Sequence, residues 1–433
     1  MNTLVVGSGG REHALCWSLS RSPLCGKLYC TPGNAGIAAI AECLSIGVDN
    51  IDAIVAICQE KRIEYVVIGP ELPLTLGLAD ALRNAGIDCF GPSKAAAELE
   101  GSKAFMKDVC TQAKVPTANY QRFTSAEEAK NYVRTQGTPL VVKADGLAAG
   151  KGVTIAHTNE VAFSAIDDAL VKKIFGPAGT VIVIEEFLEG EEVSFFALCD
   201  GDTALPFAAA QDHKAAYDGD KGPNTGGMGA YSPAPIFDAA MQERVMREII
   251  TPTVEVMKKM GKPFTGVLFA GLMITAAGPK LLEYNVRFGD PETEAILPRL
   301  KSDLLAVLYA ATRAVLDGIT LKWYDSAALC VIMAAEGYPG NYKKNTKILG
   351  LNEAQRSRDA IVFHAGTSRN DTGEIIASGG RVLAVTGWGT TIADAQKTAY
   401  QAVDKIQWKE GFCRRDIGWR AVGGQELSRK ISG

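Results

Sequence analysis

The sequence predicts a multidomain protein of mixed α/β and α+β class, and three observations support this fold class. The chain has 433 residues, roughly two to four times the usual size of one hydrophobic domain. Short apolar runs alternate with helical stretches over the first hundred residues, as in an open parallel sheet covered by βα units. Strand-rich segments with helices follow, and the alternating pattern restarts after Ser326. We therefore expect several packed units.

Each predicted unit rests on its own strand and helix signals. In the first unit these are strands at 4–6 and 65–68 and helices at 11–20 and 76–84. A helix begins near Ser102 and ends before Pro116, and a small lid then has strands at 139–143 and 180–187 and a helix at 161–172. The central unit has strands at 193–199, 204–210, 266–274 and 280–288 and helices at 239–260 and 303–317. The last unit has strands at 327–335, 361–364 and 382–386 and a helix at 391–406. The predicted domains are 1–101, a connection at 102–122, the lid at 123–190, the central domain at 191–325 and the C-terminal domain at 326–425.

The composition is that of an ordinary globular protein. Apolar residues make up 47% and charged residues 22% of the chain, and the net charge is −4. This balance gives no long-range attraction to nucleic acid or to an anionic membrane, so we expect neither partner. The ten cysteines are scattered without Cys-x-x-Cys spacing, which indicates reduced core residues and a cytoplasmic protein. The first apolar stretch is too short for a signal sequence, and no apolar run approaches the length of a membrane span.

The opening segment 5–13 is predicted as a strand, a glycine turn and a helix start. This arrangement lets backbone N–H groups meet an anion, and a tight turn without a ligand is the alternative. It is not a full dinucleotide fingerprint, because Glu12 stands where a third glycine belongs. Loops at 31–36 and 69–71 also follow predicted strands. Since such loops converge at one edge of a parallel sheet, we expect a binding site there.

A second glycine-rich segment, 143–153, follows an apolar strand that ends in Lys143. A buried ammonium needs a negative partner, which a nucleotide phosphate would supply. The glycine spacing differs from that of a P-loop, and Gly152 stands where a Ser or Thr would hold magnesium. A flap that closes over phosphates with Lys151 as a second charge fits better, and an exposed hairpin is the alternative. The acidic run 185–192, taken alone, is typical of a solvated strand end.

The segment 283–292 is the most informative. In a strand, alternate residues share a face, so Glu283, Asn285 and Arg287 are predicted to project together. A carboxylate beside an amide oxygen suits magnesium that carries phosphates, and an arginine can bind phosphate or carboxylate bidentately. A half-exposed sheet would alternate in the same way.

Residues 211–231 are predicted to form a long loop between a strand and a helix. Loops of this length are usually functional or disordered, and the glycines at 222–229 would let backbone approach a small ligand. His213 has no partner at metal-ligand spacing, so we expect it to be structural.

Five of these motifs, taken in order, resemble the phosphoribosylamine–glycine ligase family of ATP-grasp enzymes. The matching segments are Val-Val-Gly-Ser-Gly-Gly-Arg-Glu-His-Ala at 5–14, Pro-Gly-Asn-Ala-Gly at 32–36, Lys-Ala-Asp-Gly-Leu-Ala-Ala-Gly-Lys-Gly-Val at 143–153, Gly-Pro-Asn-Thr-Gly-Gly-Met-Gly-Ala-Tyr-Ser-Pro at 222–233 and Glu-Tyr-Asn-Val-Arg-Phe-Gly-Asp-Pro-Glu at 283–292. The resemblance implies an ATP-grasp fold with an N-terminal open parallel-sheet domain, a mobile lid and a C-terminal α/β domain. It also implies that glycine is joined to phosphoribosylamine through glycyl phosphate, with ATP as co-substrate and Mg²⁺ or Mn²⁺.

Site residues follow from the same resemblance. It implies nucleotide contacts at Lys103, Lys143, Gly150, Lys151, Glu185, Glu186, Leu188 and Glu192. It implies substrate contacts at Gly9, Gly10, Arg11, Gly33, Asn34, Gly226, Gly227 and Asp290. It implies metal ligands at Glu283 and Asn285 and catalytic roles for Arg287, Asp212 and Lys214.

Two departures from the family pattern bear on these roles. Ala215 and Ala216 follow Lys214 where the family usually has arginine, and the segment 270–273 lacks the further acidic metal ligand of many ATP-grasp enzymes. We expect a monomer, with a transient contact to the enzyme that supplies phosphoribosylamine. Three alternatives stay open: another ATP-grasp ligase or carboxylase, a nicotinamide oxidoreductase suggested by Gly7-x-Gly9, and a non-catalytic nucleotide-binding regulator.

Overall fold

The computed structural model describes residues 1–148 and 152–423. The predicted contacts of Gly150 and Lys151 lie outside the described residues. Within those two ranges, no helix combines the length and the apolar character needed to cross a membrane.

The N-terminal unit is a parallel sheet with strand order β3-β2-β1-β4-β5. The central strand β1 is buried along its whole length, as expected for a strand covered by helices on both faces. The strands are β1 (Thr3–Gly7), β2 (Leu28–Pro32), β3 (Glu42–Cys43), β4 (Tyr65–Ile68) and β5 (Asp88–Phe90), and the helices are α1 (Gly10–Leu19), α2 (Ile51–Glu60), α3 (Glu71–Leu76), α4 (Leu78–Asn84) and α5 (Lys94–Gly101). The helix predicted at 76–84 is interrupted, because Gly77 adopts a left-handed conformation that ends α3 and begins α4.

The lid is an antiparallel sheet with strand order β6-β9-β7-β8. Helix α6 (Lys103–Ala113) leads into it, and the lid elements are β6 (Tyr120–Phe123), α7 (Ala126–Gln136), β7 (Leu140–Ala144), β8 (Val153–Ala156), α8 (Asn159–Ile166) with a π-helical continuation at Asp167–Val171, and β9 (Ile182–Glu186). The two predicted strands are present, and β6 and β8 pair along the outer sides of β9 and β7.

The rest of the chain is built on one long sheet with strand order β16-β15-β10-β11-β14-β17-β22-β19. The first half of this region contains β10 (Glu191–Asp200), β11 (Ala204–Asp212), β12 (Ala215–Tyr217), β13 (Lys221–Asn224), β14 (Gly229–Ser232), α9 (Ala239–Val245), α10 (Thr251–Lys259), β15 (Thr265–Thr275), β16 (Gly278–Asn285), α11 (Glu292–Ile296) and α12 (Leu304–Thr312). The second half contains β17 (Ala327–Ala335), β18 (Thr346–Lys347), α13 (Leu351–Gln355), β19 (Ala360–His364), β20 (Thr367–Arg369), β21 (Ile375–Ala377), β22 (Arg381–Gly389), α14 (Ile392–Val403) and β23 (Gly411–Phe412). Two small sheets, β12-β13 and β18-β21-β20, are separate from the long sheet.

Strand β14 joins the two halves of this sheet. Tyr231 pairs with Gln211 of β11 on one side and with Leu329 of β17 on the other. The central and C-terminal units therefore share backbone hydrogen bonds across the predicted boundary near residue 325. The predicted domain bounds stay predictions.

The prediction of one long loop over 211–231 was wrong. The segment forms the end of β11, the β12–β13 hairpin and strand β14. Strand β14 pairs with the end of β11 and, over a longer stretch, with β17, about a hundred residues later in the chain. No local pattern reveals such a partner, because strand pairing is a long-range interaction.

Candidate functional site

A cleft of about 610 Å³ lies between the N-terminal unit, the lid and the long sheet. Ten of the predicted site residues line it. They are Arg11, Lys103, Glu192, Asp212, Lys214, Gly226, Glu283, Asn285, Arg287 and Asp290. Further polar residues of its wall were not predicted as site residues. Among them are Glu71, Glu100, Ser194, Thr225, Glu292 and Arg381.

A second cavity of about 300 Å³ adjoins the cleft and is lined by Gly9, Gly33 and Asn34. The two cavities have Asp290 and Arg381 in common. The loops after β1 and β2 leave the same edge of the parallel sheet, as the sequence predicted, because parallel strands end at a common edge. The resemblance implied that the C-terminal domain contributes to the active site, but it named none of the C-terminal residues of this wall, which are Tyr338, Ala365, Gly366, Thr367, Ser378 and Arg381.

Gly10 and Gly227 lie outside the walls of both cavities. A Cβ atom on Gly10 would come within 2.4 Å of a Glu294 carboxylate oxygen, and one on Gly227 would come within 2.5 Å of Pro291. Close packing therefore requires glycine at both positions, and their substrate contacts stay predictions.

The polar row at the end of β16 has the predicted alternation. Glu283, Asn285 and Arg287 are partly exposed, whereas Tyr284 and Phe288 are buried. Phe288 packs against aromatic rings on both the N-terminal and the central unit. The packing of Tyr284 and Phe288 therefore fixes the backbone of this segment, and the three polar side chains face the cleft.

Arg287 reaches the cleft already paired with two carboxylates. Its Nε lies 3.0 Å from Glu71 Oε2, and its Nη2 lies 3.1 Å from Glu100 Oε1. Nη2 also donates to Asn285 Oδ1 at 3.2 Å. Burial lowers the pKa of Arg287, but Glu100 and Glu71 outweigh it and raise that pKa above its usual value. The guanidinium is therefore charged and held in one orientation.

Glu283 and Asn285 offer a carboxylate and an amide oxygen on one side of the cleft. These are hard donors of the kind that Mg²⁺ prefers, so the side chains present fit the predicted metal. Among the described residues, no group of three or more His, Cys, Asp and Glu could hold a metal alone. A metal bound here would complete its coordination with phosphate oxygens and water.

Lys103 and Lys143 approach the same row from the lid side. Lys143 Nζ donates to the carbonyl of Leu282 at 3.2 Å, which places it beside Glu283. Burial lowers the pKa of Lys103, the Glu283 carboxylate raises it, and the Lys143 ammonium lowers it. The three charged groups are therefore near enough to influence one another.

The expectation that a phosphate must neutralise Lys143 was wrong. Glu185 supplies a carboxylate, with its Oε2 2.8 Å from Lys143 Nζ. Lys107, which was not predicted, lies 3.1 Å from the other oxygen of Glu185. Burial requires that Lys143 be paired, and the pairing is intramolecular.

At the end of β9, the backbone N–H and the carboxylate of Glu186 already have partners within the protein. The Glu186 N–H donates to the carbonyl of Asn119, and its carboxylate is 2.9 Å from Lys280 Nζ. Leu188 is buried. The expected contacts of Glu186 and Leu188 with adenine stay predictions.

Three further charged side chains, those of Glu192, Asp212 and Lys214, line the cleft on and just beyond strands β10 and β11 of the same sheet. Lys214 Nζ is 2.6 Å from Glu192 Oε2, and this lysine is the main cause of the lowered pKa of Glu192. Burial raises the pKa of Asp212 to about 6, and the carboxylates of Glu292 and Glu192 add to the effect against the opposing charge of Lys214.

His213 is a packing residue, as predicted. Its ring is buried, and its Nε2 accepts a hydrogen bond from the Gly418 N–H at 2.9 Å. The two alanines after Lys214 are also buried, and the Arg414 guanidinium donates to the carbonyl of Ala215 at 3.1 Å. The C-terminal segment thus holds this part of the cleft wall.

Glu12 closes the first glycine turn. Its carboxylate accepts the Gly9 N–H at 2.6 Å and pairs with Arg11 Nε at 2.6 Å. A Cβ atom on Gly69 would also come within 2.1 Å of that carboxylate. A negative charge thus fills the turn where a dinucleotide pyrophosphate would lie, which argues against an oxidoreductase. The Gly9 N–H is not free for an anion, contrary to expectation.

Comparisons with known proteins agree with this geometry. Family models described as the N domain, the ATP-grasp (A) domain and the C domain of phosphoribosylglycinamide synthetase match residues 1–100, 101–293 and 328–420. The chain belongs to the phosphoribosylglycinamide synthetase family. The predicted ATP-grasp fold is confirmed.

Relatives of this family match over nearly the full chain. The phosphoribosylamine–glycine ligase of Agrobacterium fabrum is 59% identical over 98% of this chain and 99% of the relative. That of Vibrio cholerae is 51% identical over 98% and 100%. The crystal structure of phosphoribosylamine–glycine ligase from Thermotoga maritima has a TM-score of 0.84 at 30% identity and covers 96% of this chain and 100% of that one. A Campylobacter jejuni biotin carboxylase shares the fold alone, with a TM-score of 0.74 at 15% identity over 96% and 93%.

Proposed function

We propose that the chain joins glycine to 5-phosphoribosylamine in de novo purine biosynthesis, converting ATP to ADP and phosphate and giving glycinamide ribonucleotide. The observation that carries this proposal is one cleft enclosed from two sides. Glu283 and Asn285 of β16, Arg287 just after it and Lys103 line the cleft, and Lys143 lies against the Leu282 carbonyl beside Glu283. The relatives named phosphoribosylamine–glycine ligase support the choice of substrates.

ATP would lie between the lid and the central unit. Lys103 and Lys143 would contact its phosphates, the backbone near Glu186 its adenine, and Glu192 its ribose. Glu283 and Asn285 would hold Mg²⁺, or Mn²⁺ in its place. When bound, that ion would neutralise charge on the phosphates during transfer.

The reaction would proceed in two displacements. A glycine carboxylate oxygen attacks the γ-phosphorus, the bond to ADP breaks, and glycyl phosphate forms. The amine nitrogen of phosphoribosylamine then attacks the acyl carbon, phosphate leaves, and the nitrogen loses a proton. Arg287 and Lys214 would neutralise charge at the reacting centre, and Asp212 would help to orient glycine. Since no side-chain nucleophile is needed, catalysis rests on positioning and on electrostatic stabilisation.

The second cavity would hold the phosphoribosyl group of the amine, next to Gly33 and Asn34. It meets the cleft at Asp290 and Arg381. An amine bound in one cavity would therefore point towards an acyl phosphate formed in the other. Reaction across this junction needs no release of the acyl phosphate to water, which would hydrolyse it.

A cytoplasmic location, a monomeric state and a transient contact with the enzyme that supplies the amine remain part of the proposal. The composition and the scattered cysteines support the first of these.

The test is an ADP-release assay in which each substrate is omitted in turn. We expect sustained ADP release only when ATP, glycine and phosphoribosylamine are all present, with glycinamide ribonucleotide formed in equal amount. ADP release that continues without glycine, or that requires biotin or bicarbonate, would contradict the proposal.

A further inference from the structure

Three buried charged side chains form a continuous row beneath the cleft. The Glu185 carboxylate lies between two ammonium groups, 3.1 Å from Lys107 Nζ and 2.8 Å from Lys143 Nζ. The side chains of Lys107, Glu185 and Lys143 are 0%, 2% and 7% exposed. We call these residues the buried triad. Such burial is costly for each charge unless neighbours compensate it.

Lys107 has the surroundings of a protonated lysine. Its Nζ donates to Thr117 Oγ1 at 2.7 Å and to the carbonyl of Ala118 at 3.4 Å, and it faces Glu185. Two hydrogen-bond acceptors and one carboxylate in an ion pair thus surround the three N–H groups of this ammonium. Burial lowers the pKa of Lys107, and the Glu185 carboxylate opposes that effect.

The triad is fixed to the strand that carries the predicted metal ligands. Thr117 Oγ1 donates to the carbonyl of Leu281, and Lys143 Nζ donates to the carbonyl of Leu282. Both carbonyls directly precede Glu283 in β16. Movement of any member of the triad would therefore shift Lys143 relative to the site of the phosphates.

The charge balance of the triad explains how Lys143 can be paired and still attract an anion. One carboxylate between two ammonium groups leaves one net positive charge. Without Lys107, the Glu185 carboxylate would cancel the charge of Lys143, and the phosphates would meet a neutral pair. At short range in a partly desolvated site, one unit of charge is a large electrostatic change.

We infer that Lys107 and Glu185 are positioning residues for ATP binding: Glu185 orients Lys143, and Lys107 neutralises Glu185 so that Lys143 keeps its charge for the nucleotide phosphates. This inference rests on the proposed ATP site. It assigns a role to Lys107, which contacts neither the cleft nor any substrate.

The test is equilibrium binding of MgATP, measured by titration calorimetry in the absence of glycine and amine. Lys107→Met should raise the dissociation constant at least about tenfold, the loss expected for one charged contact. The double variant Lys107→Met with Glu185→Gln restores the net charge, because both charges of that pair are removed together. It should bind MgATP more tightly than Lys107→Met but less tightly than the parent protein, because the glutamine amide oxygen can still accept a hydrogen bond from Lys143 but lacks the charge that orients it.

Lys130→Met is the matched control, because Lys130 pairs with Asp167 at 2.7 Å within the lid and away from the cleft. It should leave MgATP binding unchanged. Circular dichroism and thermal melting of every variant establish that the proteins are folded. A single variant that binds like the parent, or a double variant that binds as weakly as the single one, would overturn the inference. A parent protein that fails to bind MgATP would overturn the proposed function as well.

Discussion

At the scale of single residues, the cleft is built from charges that the protein itself has already paired. Arg287 is held by Glu71 and Glu100, and Lys214 is held by Glu192. Such pairing fixes each cation before a ligand arrives, so less ordering is left to occur during the reaction. This is the preorganisation that electrostatic catalysis requires.

Replacement of Arg287 tests this account directly. Arg287→Ala should lower kcat by about a hundredfold or more, because a fixed cation at the transferring phosphoryl group is lost. Arg287→Lys should recover only part of the activity, since an ammonium lacks the planar fork that bridges Glu71 and Glu100. The measurement is steady-state ADP release.

Arg244→Ala is the matched control, because Arg244 of α9 forms an ion pair with Glu248, which follows that helix. It should retain normal turnover. Near-normal turnover of a folded Arg287→Ala protein would contradict the role of Arg287.

Asp212 gives a prediction for stability against pH. Its pKa is raised from 3.8 to about 6 in the folded protein, so the folded state binds this proton more tightly than the unfolded state does. The stabilisation is complete below pH 3.8 and is lost as the pH rises through about 6. Asp212→Asn should therefore be more stable than the parent at pH 7.5, by on the order of 1 kcal/mol. This difference should shrink between pH 6 and pH 4. Thermal melting at a series of pH values measures it, and a pH-independent difference would contradict the assignment.

At the scale of elements, the segment between β13 and β14 is held by close contact with its surroundings. Gly227 has a φ of +116°, and a Cβ atom there would come within 2.5 Å of Pro291. Arg381 Nη1 donates to the carbonyls of Gly226 and Asp290. The segment is thereby fixed against the start of α11 at the junction of the two cavities.

Two glycines of this region form a matched pair for substitution. Gly219 also has a positive φ, +71°, but a Cβ atom there would meet only the Lys221 side chain, at an ordinary contact distance of 3.8 Å. Gly219→Ala should cost about 1 kcal/mol of backbone strain and leave kinetics unchanged. Gly227→Ala should cost more and should raise the KM for glycine, because the segment must move away from Pro291. Melting curves and substrate titrations of both variants measure this. If Gly227→Ala and Gly219→Ala had the same kinetic constants, the contact of the segment with Pro291 would not position the site.

Patterns local in sequence predicted the polar row of β16 and the loops of the parallel sheet. Alternation along one predicted strand was sufficient to place Glu283, Asn285 and Arg287 on a common face. The order strand, loop and helix was sufficient to place Gly33 at the edge of the parallel sheet. The triad partner Lys107 and the junction residue Arg381 could not be predicted in this way. Lys107 meets Glu185 across 78 residues of chain, and Arg381 meets Asp290 across 91. Contacts of that range depend on tertiary packing, which a single sequence does not reveal.

At the scale of the whole molecule, the C-terminal unit belongs to the site. Strand β14 ties it to the central unit through continuous backbone pairing. Arg381 begins β22 and lines both cavities. The N, A and C family domains therefore build one continuous site region, in which the cleft and the second cavity meet at Asp290 and Arg381.

The most direct test of the central claim follows an oxygen atom from glycine. Glycine labelled with ¹⁸O in both carboxylate oxygens should transfer one labelled oxygen to the inorganic phosphate in each turnover. This transfer is required if the carboxylate attacks ATP and phosphate later leaves from the acyl carbon. Mass spectrometry of the released phosphate gives the answer, and phosphate without the label during ligation would contradict the account.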